Sequence, residues 1–252
     1  MKTNVFVSGV ARSGTSALVS VLNTNPGFLI GMERYFFPIR RCEITPEHFK
    51  RARFLDVQEG DTHAKNLSMA QQGEAFRQAR YVGDKFPLLY QNFDYIFETF
   101  PEARHIYIVR NPLSVAESYD ARERNPEDKW RKSWDIGLRE WNDSVRAIAR
   151  LTPAQASRFH FVQYEDFFAD SARMNALFRA FGLDAVAPEK LASFVTKFEA
   201  LNARPVDRRD DIRQHVARHA DWEAYRALLG RIDAQNADAP KADTTTFEST
   251  TD

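Results

Sequence analysis

The chain has 252 residues, 43% apolar and 28% charged, with 35 Lys and Arg balanced by 35 Asp and Glu. That length and apolar content suit one α/β domain with a substantial core, and they exclude wholesale disorder. Zero net charge argues against a general polyanion binder, so any basic site must be local. The single cysteine, Cys42, excludes an intrachain disulfide and a multi-cysteine metal site. No run approaches the roughly 18 apolar residues of a membrane span. The opening Met-Lys-Thr-Asn-Val-Phe-Val-Ser-Gly is too short in apolar residues for a signal-peptide core, so a soluble, cytoplasmic protein is expected.

In chain order, Val5–Val7 reads as a buried strand ending at Ser8-Gly9. Ala17, Leu18, Val21 and Leu22 then recur at helical spacing until Asn25-Pro26-Gly27 stops the helix. Phe28–Ile30 is a second short strand and Tyr81–Val82, before Gly83, a weaker third. Ile106–Val109 is the clearest strand and Phe159–Tyr164 another. Between the last two, Pro126 to Arg150 predicts one long amphipathic helix with Trp130, Trp134, Leu138, Trp141, Val145 and Ile148 along a single stripe that packs into the core. Strands separated by helices imply βαβ units, hence an α/β fold with a mostly parallel sheet covered on both faces. A single domain over 1–232 is expected, with a helical insert at about 45–80. The Ala-, Asp-, Thr- and Ser-biased stretch 233–252 is expected to be a disordered tail.

Gly9-Val-Ala-Arg-Ser-Gly14-Thr15-Ser16 follows the first strand and opens a helix. Its two glycines let successive N–H groups converge on one point, and the helix behind adds a partial positive charge worth about 0.3–1 kcal/mol in exposed cases. Together they make a phosphate site. A Walker A loop carries Lys after its last glycine, to reach the β- and γ-phosphates. Here that position is Thr15 and the cation is Arg12, inside the loop, which disfavours magnesium-dependent phosphoryl transfer. A second anion site is read at Arg110-Asn111-Pro112, where Pro112 starts a helix and Ser118 lies about two turns along it. A guanidinium and a hydroxyl converging there can hold another phosphate through charge-assisted bonds.

The Arg-Ser-Gly-Thr core of the first loop resembles the 5′-phosphosulfate loop of sulfotransferases that use 3′-phosphoadenosine 5′-phosphosulfate, in the form seen in bacterial and tyrosylprotein-type members. Arg110-x-Pro112 with Ser118 eight residues after the arginine is similar to that family's 3′-phosphate motif, and Arg122 falls where some members place another phosphate-contacting arginine. Gly83-Asp84-Lys85-Phe86-Pro87 looks like the segment whose lysine faces the sulfuryl group, and Val162-x-Tyr164-Glu-Asp like the one whose tyrosine lies near the nucleotide. A tyrosine closing the sheet edge explains Tyr164 almost equally well. The resemblance implies a three-layer P-loop-type fold and a donor site built from Arg12, Ser13, Gly14, Thr15, Ser16, Arg110, Ser118, Arg122 and Tyr164. The bisphosphate PAP would be the product, with no metal.

Sulfuryl transfer needs a base for the acceptor hydroxyl and cations for the leaving phosphate oxygen; because sulfonate carries less charge than phosphate, side chains suffice. Glu33 is the only acid between Lys2 and Glu43 and follows Arg12 by 21 residues, as in members with a glutamate base. Partial desolvation there would raise its pKa toward neutrality. Arg12 and Lys85 are the expected cations. Phe86-Pro87 excludes a histidine base from that segment; His105 is not expected to be catalytic, and Asp84 is the runner-up base. Residues 34–53, basic with Phe36, Phe37, Phe49 and Phe54 interleaved, read as a rim that would favour an acidic or phenolic acceptor, or as a solvated helix face. The acceptor stays open between a small molecule, a sugar, a lipid and tyrosine. Nothing supports nucleic-acid binding. Arg208, Arg209 and Arg213 form a basic C-terminal stretch to which no role is carried over. The alternatives are a P-loop kinase or NTPase, and a nucleotide-binding scaffold without activity.

Overall fold

A computed structural model describes residues 2–62, 69–203 and 209–237. Five strands, β1 (Thr3–Ser8), β2 (Phe28–Met32), β3 (Tyr81–Lys85), β4 (Arg104–Val109) and β5 (Phe159–Gln163), pair in the order β2-β3-β1-β4-β5. Every pairing is parallel. Alternation along the strands sends Val5, Val7, Ile106 and Ile108 to one face, against Leu18, Leu22, Met174 and Phe178. Phe6, Tyr107 and Val109 turn to the other, against Trp141, Val145 and Ile148. The result is the three-layer α/β arrangement the sequence predicts, with a wholly parallel sheet. No helix among the described residues is long and apolar enough to cross a membrane.

The topology fixes where chemistry can occur. β1 lies centrally, and the chain reaches β2 and β3 on one side of it and β4 and β5 on the other. Its C-terminal end therefore sits where the strand order reverses, the position at which open α/β sheets bind ligands. The register aligns Val7 with Lys85 and with Ile106, Met32 with Lys85, and Val109 with Gln163. The loops after all five strands are thus delivered to one edge of the sheet.

Three elements depart from the sequence pattern. β3 runs on through Gly83 to Lys85, because Gly83 and Asp84 keep their partners on both β1 and β2. The helix expected from Pro126 starts only at Trp134 and ends at Ala149. Upstream of it, the Asp128 carboxylate takes the Trp130 N–H and pairs with Arg122, local bonds that compete with helix formation. Trp130 leaves the stripe and packs edge-on against Tyr119, while Trp141 is fully buried as expected. At the other end of the chain, the helix Trp222–Ala237 passes the expected boundary at 232, and the Gln235 amide bonds the Phe161 N–H and carbonyl at the open edge of β5. Of the expected tail, 238–252 lie outside the described residues. The insert carries a 3-10 turn at Pro46–Phe49 and helices at Arg51–Leu55 and Met69–Gln78.

His105, on β4, is fully buried and stacks on Phe159 at 4.6 Å, with neither ring nitrogen bonded. Burial, followed by the charges of Arg158 and Arg104, pushes its pKa down to about 3, so the folded protein holds it neutral. The unfolded chain binds its proton below about pH 6.5, so this stabilisation is present above that pH and is lost as pH falls toward 3. His105→Phe should therefore keep stability at pH 8 and show a smaller fall in Tm between pH 7 and pH 5 than the unmodified protein. Parallel declines in the two proteins would remove His105 from the acid response.

Candidate active site

The loop after β1 turns through positive φ at Arg12 (70°) and Gly14 (90°). At Arg12, a non-glycine residue, this costs on the order of 1–3 kcal/mol and persists only where the surroundings dictate it. At Gly14 a side chain has no room, since a Cβ would lie 2.5 Å from the Tyr164 ring. The helix Thr15–Leu22 behind the loop has no side-chain cap and no acid in its first turn, so its leading N–H groups present positive charge to the loop.

The two sequence-read anion sites touch each other. Arg110, just beyond β4, donates from Nη1 to the Arg12 carbonyl at 3.1 Å, and its guanidinium lies over the Tyr164 ring at 4.3 Å. Arg12 Nε donates to Ser118 Oγ at 3.0 Å. Asn111 caps the helix Pro112–Glu123, and its own N–H reaches Glu165 at 3.0 Å, which ties the exits of β4 and β5 together. Burial, then the neighbouring charges of Arg122 and Arg110, lower the pKa of Arg12. Neither Arg12 nor Arg110 has a carboxylate partner among the described residues, and Ser13 Oγ and Arg110 Nε are buried without a bond. A cluster of cations and unsatisfied polar atoms of this kind fits a polyanionic ligand.

Arg122 is placed differently from the rest. Asp128 grips it through two bonds, at 2.5 and 2.7 Å, and the guanidinium lies over the Trp130 ring at 4.7 Å. Nothing in the residue pattern flags this carboxylate, which sits in a turn six residues further on. Of the C-terminal basic stretch, Arg208 lies outside the described residues, and Arg209 pairs with Asp120 and Asp211.

On the other side of the loop, Lys85 ends β3 with its side chain only 4% exposed. Its Nζ donates to Ser16 Oγ at 3.1 Å and to Glu33 Oε1 at 2.5 Å. Glu33 follows β2 in a left-handed conformation, φ 58°, with its N–H on the Lys85 carbonyl at 2.9 Å and its own carbonyl accepting from the Thr62 hydroxyl. Arg12, Ser16, Glu33, Lys85, Arg110, Ser118 and Tyr164 are thus joined by contacts around one loop.

Asp84 is not available as a base. It is completely buried, and its oxygens accept backbone N–H groups from Arg34, Tyr35 and Lys85. Burial pushes its pKa up to about 6, against the opposing pull of those bonds and of the Lys85 charge. The aromatic rim is also narrower than the sequence suggests. Phe49 and Phe54 belong to the core, whereas Phe37 is 41% exposed and Phe36 packs on Phe86 and Phe37. Sequence reasoning missed Asp61 too. This carboxylate, 2% exposed, binds Arg34 at 3.0 Å and also Arg53, fastening the insert to the turn that carries Glu33. Cavities of about 360 and 430 Å³, one along β5 and one beside Cys42, are lined by none of these groups. Charge and hydrogen bonding mark the site, rather than concavity.

A family model described as "Sulfotransferase family" matches residues 4–188. Among solved structures, the chain is similar to the sulfotransferase domain from the Synechococcus PCC 7002 olefin synthase, with TM-score 0.51, 21% identity and coverage of 82% of this chain and 86% of that one. It is likewise similar to the sulfotransferase domain from the curacin biosynthetic pathway (TM-score 0.50, 20% identity, 75% and 77% covered). A sulfotransferase from Alicyclobacillus acidocaldarius gives TM-score 0.50 at 18% identity, with 84% and 99% covered. No curated protein matches the chain. At these identities the structures establish a shared fold, and the family match over most of the chain supplies the rest: the protein belongs to the sulfotransferase family and is a transferase of that kind.

Proposed function

We propose that the protein moves a sulfuryl group from 3′-phosphoadenosine 5′-phosphosulfate to an acceptor hydroxyl, on a small molecule, sugar, lipid or tyrosine, with Glu33 as base. The observation that carries this reading is the continuity of the Glu33–Lys85–Ser16 contacts with the loop that Arg12 and Arg110 close from the other side. In this reading, the N–H groups of Arg12–Thr15 and the hydroxyls of Thr15 and Ser16 hold the 5′-phosphosulfate. Arg110, Ser118 and Arg122 hold the 3′-phosphate, with Tyr164 beside the nucleotide. The orphaned Ser13 Oγ and Arg110 Nε, and an Arg12 guanidinium with no carboxylate partner among the described residues, fit a donor anionic at both ends.

Glu33 takes the acceptor proton while the acceptor oxygen bonds to sulfur and the sulfur–phosphate oxygen bond breaks in line. Arg12 and Lys85 receive the charge that develops on the departing phosphate oxygen. Lys85 already spans base and loop, so it is placed to serve both ends of the transfer. Positioning and electrostatics supply the catalysis, and no metal enters the scheme.

A ligand that binds only the folded state raises its stability. Adenosine 3′,5′-bisphosphate should therefore raise Tm in a thermal-shift titration at concentrations where ATP does not. Equal shifts with ATP would favour a P-loop kinase or NTPase. Arg12→Ala and Lys85→Ala should each lower turnover by about 100-fold or more, the consequence of losing one stabilising donor worth about 2.7–4 kcal/mol of barrier. Glu33→Gln should abolish turnover and leave bisphosphate affinity nearly unchanged; normal rates in that variant would take Glu33 out of the mechanism. Asp128 competes with a 3′-phosphate for Arg122, so Asp128→Ala should tighten bisphosphate binding by calorimetry. Unchanged or weaker binding would take Arg122 out of the donor site.

A further inference from the structure

Asp84 is a fully buried carboxylate to which the transfer scheme gives no part. Its three hydrogen bonds all end on backbone that brackets the reacting side chains. Oδ1 accepts from Lys85 N at 2.9 Å and from Arg34 N at 3.2 Å, and Oδ2 accepts from Tyr35 N at 2.8 Å. We infer that Asp84 is a positioning residue, whose carboxylate locks the left-handed turn at Glu33 onto the end of β3 and so sets the Glu33–Lys85 geometry.

Two independent features support this. Opposite Asp84 in the β2–β3 register stands Gly31, where a Cβ would come within 2.6 Å of Asp84 Oδ1. The carboxylate therefore occupies a seat that only glycine leaves open. Second, the backbone groups of Glu33 itself have partners other than Asp84. Its N–H meets the Lys85 carbonyl, and the Thr62 hydroxyl meets its carbonyl. The two N–H groups that follow it both go to Asp84, so the left-handed φ of 58° is dictated from outside the residue. The strand neighbours in register with Asp84, Phe6 on β1 and Gly31 on β2, bring no charge. The charged or titratable side chains of the bracketing segments are those of Glu33, Arg34, Tyr35 and Lys85, with Asp61 and Arg53 beyond Arg34. A buried carboxylate held up to about 6 is a costly way to satisfy three N–H groups. Its bonds all serve the turn that aims the base.

This inference rests on Glu33 and Lys85 acting as proposed, and its test separates the two. Asp84→Asn keeps the shape, but its one carbonyl oxygen leaves an NH2 facing one of the three donors. Gly31→Ala keeps the charge and displaces the carboxylate, and it serves where Asp84→Asn fails to fold. Crystal structures of the variants should show Glu33 leaving positive φ and the Lys85 Nζ–Glu33 contact opening, with the loop 9–16 unchanged. With 3′-phosphoadenosine 5′-phosphosulfate as donor and 2-naphthol or water as acceptor, kcat for PAP release should fall by about tenfold or more, while Kd for the bisphosphate stays within about twofold. Retention of the turn and of the contact in both variants overturns the inference, whatever the donor. So does a loss of bisphosphate affinity and thermal stability in step with turnover, which would assign Asp84 to the fold alone. Failure of the unmodified protein to bind the bisphosphate would overturn the donor reading and leave the crystallographic result to decide on Asp84.

Discussion

The ammonium of Lys85 is the hinge between the two halves of the site. β3 lies between β1 and β2 in parallel register, so its last residue emerges beside Val7 on one side and Met32 on the other. The loop that begins after β1 and the turn that begins after β2 both start within one residue of that level. A lysine placed there reaches Ser16 in one direction and Glu33 in the other without leaving the sheet edge. A partly desolvated ammonium with two such partners is fixed in place, and fixed charge is what electrostatic catalysis requires.

The opposite half of the site answers a different constraint. A chain with no net charge gathers Arg12, Arg110 and Arg122 around a single loop. Their repulsion is moderated without neutralising the cluster: Arg110 spends a donor on the Arg12 carbonyl and rests on Tyr164, and among the described residues a carboxylate pairs with Arg122 alone of the three. Tyr164 has a double part, since the ring that faces the Arg110 guanidinium also occupies the space a side chain at position 14 would need. The tyrosine is thus structural toward the loop and electrostatic toward the arginine, so the two readings of it from sequence are not exclusive.

What was legible in the sequence was whatever the strand ends carry. Arg12, Lys85, Arg110 and Tyr164 each follow or close a recognisable apolar run, and a parallel sheet brings such positions together by construction. What escaped were partnerships formed across the fold. Asp61 and Asp128 are ordinary surface-type acids in sequence, and only the folded chain shows one buried against Arg34 and the other clasping Arg122. The late start of the helix at Trp134 has the same origin, because the apolar stripe carries no trace of the bonds Asp128 makes upstream. Phe49 and Phe54 looked like a rim because their spacing is uninformative in short helices, yet both are core. Asp84 looked like a base because its chemistry permits it; its burial decides otherwise.

These separate dependencies imply a division of labour in the architecture. Residues 51–62 are fastened to the Glu33 turn by the buried Arg34–Asp61 pair and by the Thr62 hydroxyl. That segment is therefore tied to the exit of β2, whereas Arg12, Arg110 and Tyr164 meet where β1, β4 and β5 end. The two assemblies meet at Lys85 and Ser16. In such an arrangement, substitutions in residues 51–62 that keep the Arg34–Asp61 pair leave the contacts among Arg12, Arg110 and Ser118 intact.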